Sequence, residues 1–467
     1  MMLFSQAPDF AYPRKVEQKA SRDLTAALAS GNGDEVVNAL VRIGLAQSLI
    51  SSDSLQQVIA KVELVRSKET NVATRAMLSL LEADIYTGIY NSDRWTIARR
   101  GEVSLPEGEN DYTLWGTAQF SRKVLGLISD ALADPAALRA VPLAEYSKSI
   151  EYERDALTFY PTLLDFAAYR GIDYLTSAFL SSGRSLPMAL LSRPTDTSLF
   201  PSATASPVEH CVLDIYRMLR EGREETAAGM HAMAEAMGFI APRVFTFERP
   251  VFEFSNDKAD SDAGVQRIFL DTYLSHMRVP YAVELLLDIP SLTVSSAIAP
   301  QVYAALLDFE KNNPSYFNLS GVKRLIASLS DPVAGVTAPS IVAKGIPFTV
   351  KVSASNVNKL TLKLYKIDDK AVKRDASSYR GALPSESVAT AEVEIRGTVP
   401  FRSDAAASFT ANDYGRYVIV AEGDGLTAQS YNNIIDCSDL AVAAIMPSEG
   451  KKNDAVVLRN TDGAPVE

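Results

Sequence analysis

Apolar positions recur about every 3.6 residues through the first three hundred residues, then every second residue from Gly345 onward. The first period predicts a long helical region and the second a β region behind it. Residues 14–30 and 34–50 read as one helical hairpin, split by Gly31, Asn32 and Gly33, with Asp34 placed to cap the second helix. A second hairpin follows over 53–90. Its first helix carries Leu55, Val58, Ile59, Val62 and Val65 at the spacing of a buried face, behind an N-cap at Asp53 or Ser54. The near-equal lengths of the two hairpins suggest a tetratricopeptide-like array, without the consensus residues of that repeat. Further helices are expected at 115–133, 143–158, 162–181, 207–220, 223–238, 262–277, 279–288, 293–312 and 319–330. Serine, proline and threonine mark 181–207 as a long irregular connection, and 242–262 reads as extended and then loop-like.

After a Pro- and Gly-rich stretch at 330–345 the chain turns to β. Phe348, Val350, Val352 and Ala354 point one way, as do Leu360, Leu362 and Leu364 after a turn at 356–359. Thr349, Lys351, Ser353, Thr361 and Lys363 take the opposite face. This predicts an antiparallel hairpin with one buried and one wet face. Later strands at 387–397, 414–425 and 428–439 suffice for a small immunoglobulin-like sandwich of about seven strands. The last segment holds a strand, a turn at 449–453 and another strand. A chain that stops just after opening a β unit is expected to be a fragment.

Composition narrows the classes. With 467 residues, two to four domains are expected at about 150 residues each. The 47% hydrophobic and 22% charged content is that of a globular chain, not a disordered one. Asp and Glu number 57 against 46 Lys and Arg, a net charge of −11, with no long basic run. That argues against nucleic acid as a partner, because phosphate contacts need clustered cations. Cys211 and Cys437 make no disulfide framework and are expected to be free thiols. No apolar stretch is long enough to span a membrane. The opening MMLFSQAPDF has neither a basic n-region nor an apolar run, so the protein is cytosolic or has lost a targeting segment.

Candidate chemistry is sparse. His210, His231 and His276 form no HExxH and no close metal-ligand pair. His210 and Cys211 are adjacent, but neighbouring helical residues point about 100° apart, which disfavours direct activation of the thiol. No GxSxG elbow, phosphate-binding loop or dinucleotide fingerprint occurs. Residues 260–264, DSDAG, lack the Glu that would close a calcium loop. Tyr86, Tyr90, Trp95, Tyr112, Trp115 and Phe120 could line a concavity for peptide or ligand, but packing between helices is the favoured reading. Tyr152, Phe159, Tyr160, Phe166, Tyr169 and Tyr174 read as a helix-to-helix seam. No catalytic, cofactor-binding or metal-ligating residue is assigned, no cofactor is expected, and binding residues are unknown.

Several tracts resemble the N-terminal region of bacterial alpha-2-macroglobulin-like proteins. They are ALTFYPTLLDFAAYRGIDYLTS at 156–177, IVAKGIPFTVKVSASNVNKLTLKLYKI at 341–367, DYGRYVIVAEGDG at 413–425, IIDCSDLAVAAI at 434–445 and VVLRNTDGAPVE at 456–467. The resemblance implies a helical-hairpin array at 1–180, a second helical part at 181–334, a macroglobulin-type β-sandwich at 335–437 and the start of a further β domain at 438–467. It also implies a periplasmic or cell-envelope location and, through a longer chain, proteases or other envelope proteins as partners. Neither Cys211 nor Cys437 lies in the Cys-Gly-Glu-Gln tract that a thioester requires, so this chain alone is expected to trap nothing. The expected function is a non-catalytic scaffold region of such a protease inhibitor. The alternative is a free-standing helical-repeat protein binding peptide or glycan at the cell envelope. A hydrolase using Cys211 or His276 is the third reading.

Overall fold

The computed structural model describes residues 3–4, 12–50, 55–100, 111–152, 154–180, 186–200, 206–244, 263–289, 294–367, 383–426, 434–445 and 454–459. The chain divides into two compact units, residues 1–255 with 267–290 and residues 256–266 with 291–467.

The first unit is helical. It opens with α1 (Pro13–Ser30), α2 (Gly33–Ile50), α3 (Leu55–Lys68) and α4 (Val72–Ser92). Then come α5 (Arg94–Arg99), α6 (Thr117–Ala131), α7 (Pro135–Arg139), α8 (Leu163–Ala178) and α9 (Met188–Ser192). α10 (Pro207–Arg220), α11 (Ala227–Ile240), α12 (Ala263–His276) and α13 (Glu284–Leu287) follow. α1 packs on α2; α4 packs on α2, α3, α6 and α8; α8 meets α10, and α10 meets α11. α4 is the hub because its sequence is apolar on nearly every side, with Met77, Leu78, Leu80, Leu81, Ala83 and Tyr86 all buried. Boundaries are sharpest where caps are strong. Ser206 receives the Glu209 N–H and the Glu209 carboxylate receives the Ser206 N–H, with Pro207 at the first helical position.

Two local expectations fail here for one reason. Asp34 does not cap α2; Asn32 does, accepting from the Glu35 N–H at 3.2 Å. The Asp34 carboxylate instead accepts from the backbone N–H of Lys148 (3.1 Å) and Ser149 (2.9 Å) and from the Ser149 hydroxyl (2.6 Å). Those captured amides sit inside the helix expected at 143–158. Residues 143–146 and 154–158 form short 3₁₀ turns, and between them β2 (Ile150–Glu151) pairs antiparallel with β1 (Leu3–Phe4). The expected caps Asp53 and Ser54 lie outside the described residues.

The second unit carries α14 (Ala299–Asn312), α15 (Leu319–Ser330) and the later strands. β3 (Val333–Thr337), β5 (Pro347–Ser355) and β8 (Arg402–Thr410) form one sheet in the order β3-β5-β8. The other contains β4 (Ile341–Val342), β6 (Lys359–Ile367), β7 (Ala389–Glu394), β9 (Gly415–Glu422) and β10 (Ile434–Cys437), in the order β4-β10-β9-β6-β7. β11 (Leu440–Ile445) and β12 (Asp454–Arg459) pair separately. Helices followed by antiparallel and mixed sheets are the observed order.

The hairpin expected over 345–367 is corrected. β5 and β6 lie in different sheets, so the turn between them is a corner between layers. Both strands present their apolar faces to one core, with Val350, Val352 and Ala354 from one layer and Leu360, Leu362 and Leu364 from the other. Alternation records which face is buried, not which strand is the neighbour. Asn356 holds the corner in the left-handed region, at φ 56°. Its side-chain amide donates to the Leu329 carbonyl (2.6 Å) at the end of α15, and its side-chain oxygen accepts from the Phe401 N–H (3.0 Å) just before β8. A second departure is β4, which runs parallel to β10 where only antiparallel pairing was expected.

Candidate functional site: a groove between helices of the first unit

α2 and α4 flank an open cavity of about 500 Å³. Val41, Gly44, Leu45 and Ser48 line it from α2, and Leu81, Asp84, Ile85, Gly88, Ile89 and Ser92 from α4; Leu55 and Arg170 complete it. The lining positions on each helix repeat at three or four residues, so each wall is one helical ridge. Leu81 to Ser92 spans about 16 Å of helix axis and Val41 to Ser48 about 10 Å at 1.5 Å per residue. Both walls carry a glycine. A Cβ at Gly88 would meet nothing within 4 Å, and one at Gly44 would touch Val58 at 3.6 Å. The walls are aliphatic, and among the described residues no aromatic side chain lines the cavity.

One charged assembly interrupts the apolar lining. The Arg170 guanidinium, 12% exposed, reaches Asp84 Oδ1 at 3.2 Å, the Tyr174 hydroxyl at 3.1 Å and Asp173 Oδ2 at 3.4 Å. It also stacks over the Tyr174 ring, 4.6 Å from its centroid. The Asp84 side chain keeps 41% of its surface open to solvent, while dense protein around it raises its pKa against the lowering pull of Arg170. Accessible yet poorly hydrated is the condition of a carboxylate in a cleft.

The same condition continues across the unit. Asp173 and Glu235 are raised by burial, and Asp173 adds to the rise at Glu235. Burial and the charges of Glu235 and Glu284 push Asp288 up to about 7. Beside them Tyr160 Oη lies 2.7 Å from His231 Nε2, and the His231 ring packs against Phe159 and Tyr169. Burial lowers His231 to about 4, so its imidazole is neutral at physiological pH.

The aromatics singled out in the sequence divide. Tyr86 stacks on Trp115 at 5.4 Å and Trp115 meets Phe120 at 5.3 Å inside the core, and buried Tyr90 meets half-buried Phe179 at 4.7 Å. Trp95 stands apart, 82% exposed. Phe166 and Tyr174 are buried, and Tyr160 and Tyr169 join His231 as the seam expected. Sequence reasoning missed the groove. Its signal was the pair of glycines on facing helices whose other apolar positions kept period.

The thiols are poorly suited to nucleophilic chemistry. Burial and the nearby Asp214 push Cys211 up to about 11, and burial raises Cys437. Both are free. His276 is engaged locally, its Nδ1 2.9 Å from both the Thr272 carbonyl and the Ser275 hydroxyl. Among the described residues no group of three or more His, Cys, Asp or Glu is placed to hold a metal ion. Among them, too, no helix is long and apolar enough to cross a membrane.

No family model matches the chain, and no curated protein matches it. A solved structure of Pseudomonas fluorescens alkylpurine DNA glycosylase AlkC, bound to DNA containing an abasic site analog, is similar at 11% identity with a TM-score of 0.21. The match covers 84% of this chain and 99% of that one. At that score it carries neither fold nor activity to this chain. The resemblance to alpha-2-macroglobulin-like proteins is corrected: no family model matches the chain, neither of macroglobulins nor of endopeptidase inhibitors. The expected envelope location rested on that resemblance alone.

Proposed function

We propose that this is a non-catalytic binding protein whose helical unit holds a peptide segment in the groove between α2 and α4. The observation that carries the reading is the groove itself, an aliphatic trough of about 500 Å³ flanked by two helical ridges with a glycine on each. Its volume is that of a ligand pocket, and its walls suit apolar side chains. A glycan is disfavoured, because sugar hydroxyls buried against leucine, isoleucine and valine would lose water without gaining partners. The protonated Cys211 thiol supports the non-catalytic part of the reading. In the same reading the second unit, with two sheets facing one core, serves as an immunoglobulin-like scaffold.

The test is to pan a random peptide library against the full chain and against the Gly88→Trp variant. The new indole would occupy open groove space, since nothing lies within 4 Å of a Cβ there. Peptides with apolar residues at helical spacing should be retained by the wild type and lost by the variant. Equal retention by both, with the variant folded by circular dichroism, would refute the groove as the binding site.

A further inference from the structure

β8 has one open side, and we infer that this side is a dimer interface: two copies of the chain pair β8 with β8, antiparallel, about a two-fold axis at Ala406. Among the described residues β8 has a single strand neighbour, β5. The two keep unbroken register from Pro347 opposite Thr410 to Ser355 opposite Arg402. The aim of each backbone group in β8 follows from the two ends of the strand. Just before it, the Asn356 N–H donates to the Phe401 carbonyl at 3.2 Å. Phe401 and every second residue after it therefore turn their N–H and C=O toward β5. Pro347, which has no N–H to give, stands opposite Thr410, in agreement with that alternation. Asp404, Ala406, Ser408 and Thr410 thus aim their N–H and C=O away from β5, where no other strand meets them among the described residues.

Proteins blunt such edges with charge, proline, a bulge or short length. β4 is two residues long, and β7 carries the exposed Glu392 and Glu394. β8 runs for nine residues, and from Ala405 to Thr410 it has no charge, no proline and no bulge. What it does have is a fit to itself. In an antiparallel pair, residues that point outward must oppose each other and exchange both bonds. The whole strand overlaps its copy only when Ala406 opposes the partner's Ala406. Asp404 then opposes the partner's Ser408, and Arg402 opposes the partner's Thr410. That register makes about ten hydrogen bonds, two for each outward pair. No like charges face each other in it, and the axis falls on a small side chain. A foreign strand would bring the same backbone bonds, but selecting one needs pockets for its alternate side chains. The outer face of β8 offers only exposed side chains, Asp404, Ala406 and Ser408 among them, and its inner ones, Ala405, Ala407 and Phe409, belong to the core between the sheets. The edge therefore suits its own sequence and reads no other.

Sedimentation velocity of the full chain should show a dimer at about 100 µM that dissociates on dilution. Ala406→Pro deletes the outward N–H at the axis without removing a bond to β5, and should weaken the dimer at least about tenfold. Two lysine variants read the register. Ala406→Lys sets two ammonium groups face to face at the axis and should also weaken the dimer. Ser408→Lys sets an ammonium opposite the partner's Asp404, twice per dimer, and should tighten it about two- to tenfold at about 50 mM salt, a gain lost at about 0.5 M. Circular dichroism checks that each variant is folded. A wild-type chain that stays monomeric at about 100 µM would overturn the inference. If that monomer also retained extended peptides that Ala406→Pro loses, the edge would belong to a foreign strand. A dimer unchanged by Ala406→Pro, or one that Ser408→Lys does not tighten, would overturn this pairing as well.

Discussion

Replacing Asp165 by Ala should destabilise the helical unit by about 4 kcal/mol. Asp165 is the third residue of α8 and is 1% exposed, yet its two oxygens accept four hydrogen bonds. Thr162 gives its backbone N–H at 3.0 Å and its hydroxyl at 2.6 Å; Arg223 gives Nη1 at 3.2 Å and Nη2 at 2.8 Å. Arg223 is itself only 11% exposed, and its remaining acceptor is the Leu219 carbonyl. Removing the carboxylate leaves a buried guanidinium with a carbonyl for company, a loss of about 3–5 kcal/mol, and weakens the helix cap, worth about 1 kcal/mol. The two overlap because Thr162 and Arg223 share one oxygen. The double variant Asp165→Leu with Arg223→Met removes the stranded charge as well and should cost only about 1–2 kcal/mol, since buried ion pairs are often replaceable by apolar residues. Both tryptophans, Trp95 and Trp115, belong to the helical unit, so their fluorescence during urea unfolding reads that unit alone. A midpoint for Asp165→Ala equal to wild type, or a double variant no better than the single, would refute this reasoning.

Three further outcomes are expected. Gly88→Ala should raise the stability of the helical unit by about 0.5–1 kcal/mol in the same assay, because it removes a helix glycine and meets nothing within 4 Å. Gly229→Ala should lower it by about 1–3 kcal/mol or prevent folding, since a Cβ there would sit 1.8 Å from the Arg223 carbonyl oxygen, a backbone atom that cannot swing aside. His231→Gln should be less stable than wild type at pH 7.5, and that deficit should narrow as pH falls from 6.5 toward 4. In that window the wild-type unfolded chain binds a proton that the folded His231 refuses, a cost to the wild type that approaches about 3 kcal/mol below pH 4. Thermal melts at pH 7.5 and 4.5 give the difference directly, and a deficit that does not change with pH would contradict the buried neutral imidazole.

The helices were legible where local chemistry and burial agreed. The helices expected at 207–220 and 319–330 coincide with α10 and α15, and α10 opens on the Ser206 cap with Pro207 and Glu209. Legibility failed where a distant side chain redirected the backbone. Asp34 reaches more than a hundred positions along the chain to take the amides of Lys148 and Ser149, which no local window contains. β8 was missed because its core-facing side chains, Ala405, Ala407 and Phe409, include two alanines, which carry almost no strand signal. The groove was illegible for a related reason. A glycine in a helix reads as a weakness until the facing helix shows that it is room.

The parallel pairing of β4 with β10 sets a timetable for synthesis. Ile341 finds its partner at Asp436, 436 − 341 = 95 positions later, and β6 finds β9 only when Glu422 has followed Thr361. At about 5–20 residues per second, β4 waits roughly 5–19 s beyond its own emergence before its neighbour exists. The helical unit pairs mostly near neighbours and can consolidate while those strands are still being made. The second unit is therefore the slower half of the molecule to assemble, and β4 spends that interval without its strand partner, as an edge open to pairing with another chain.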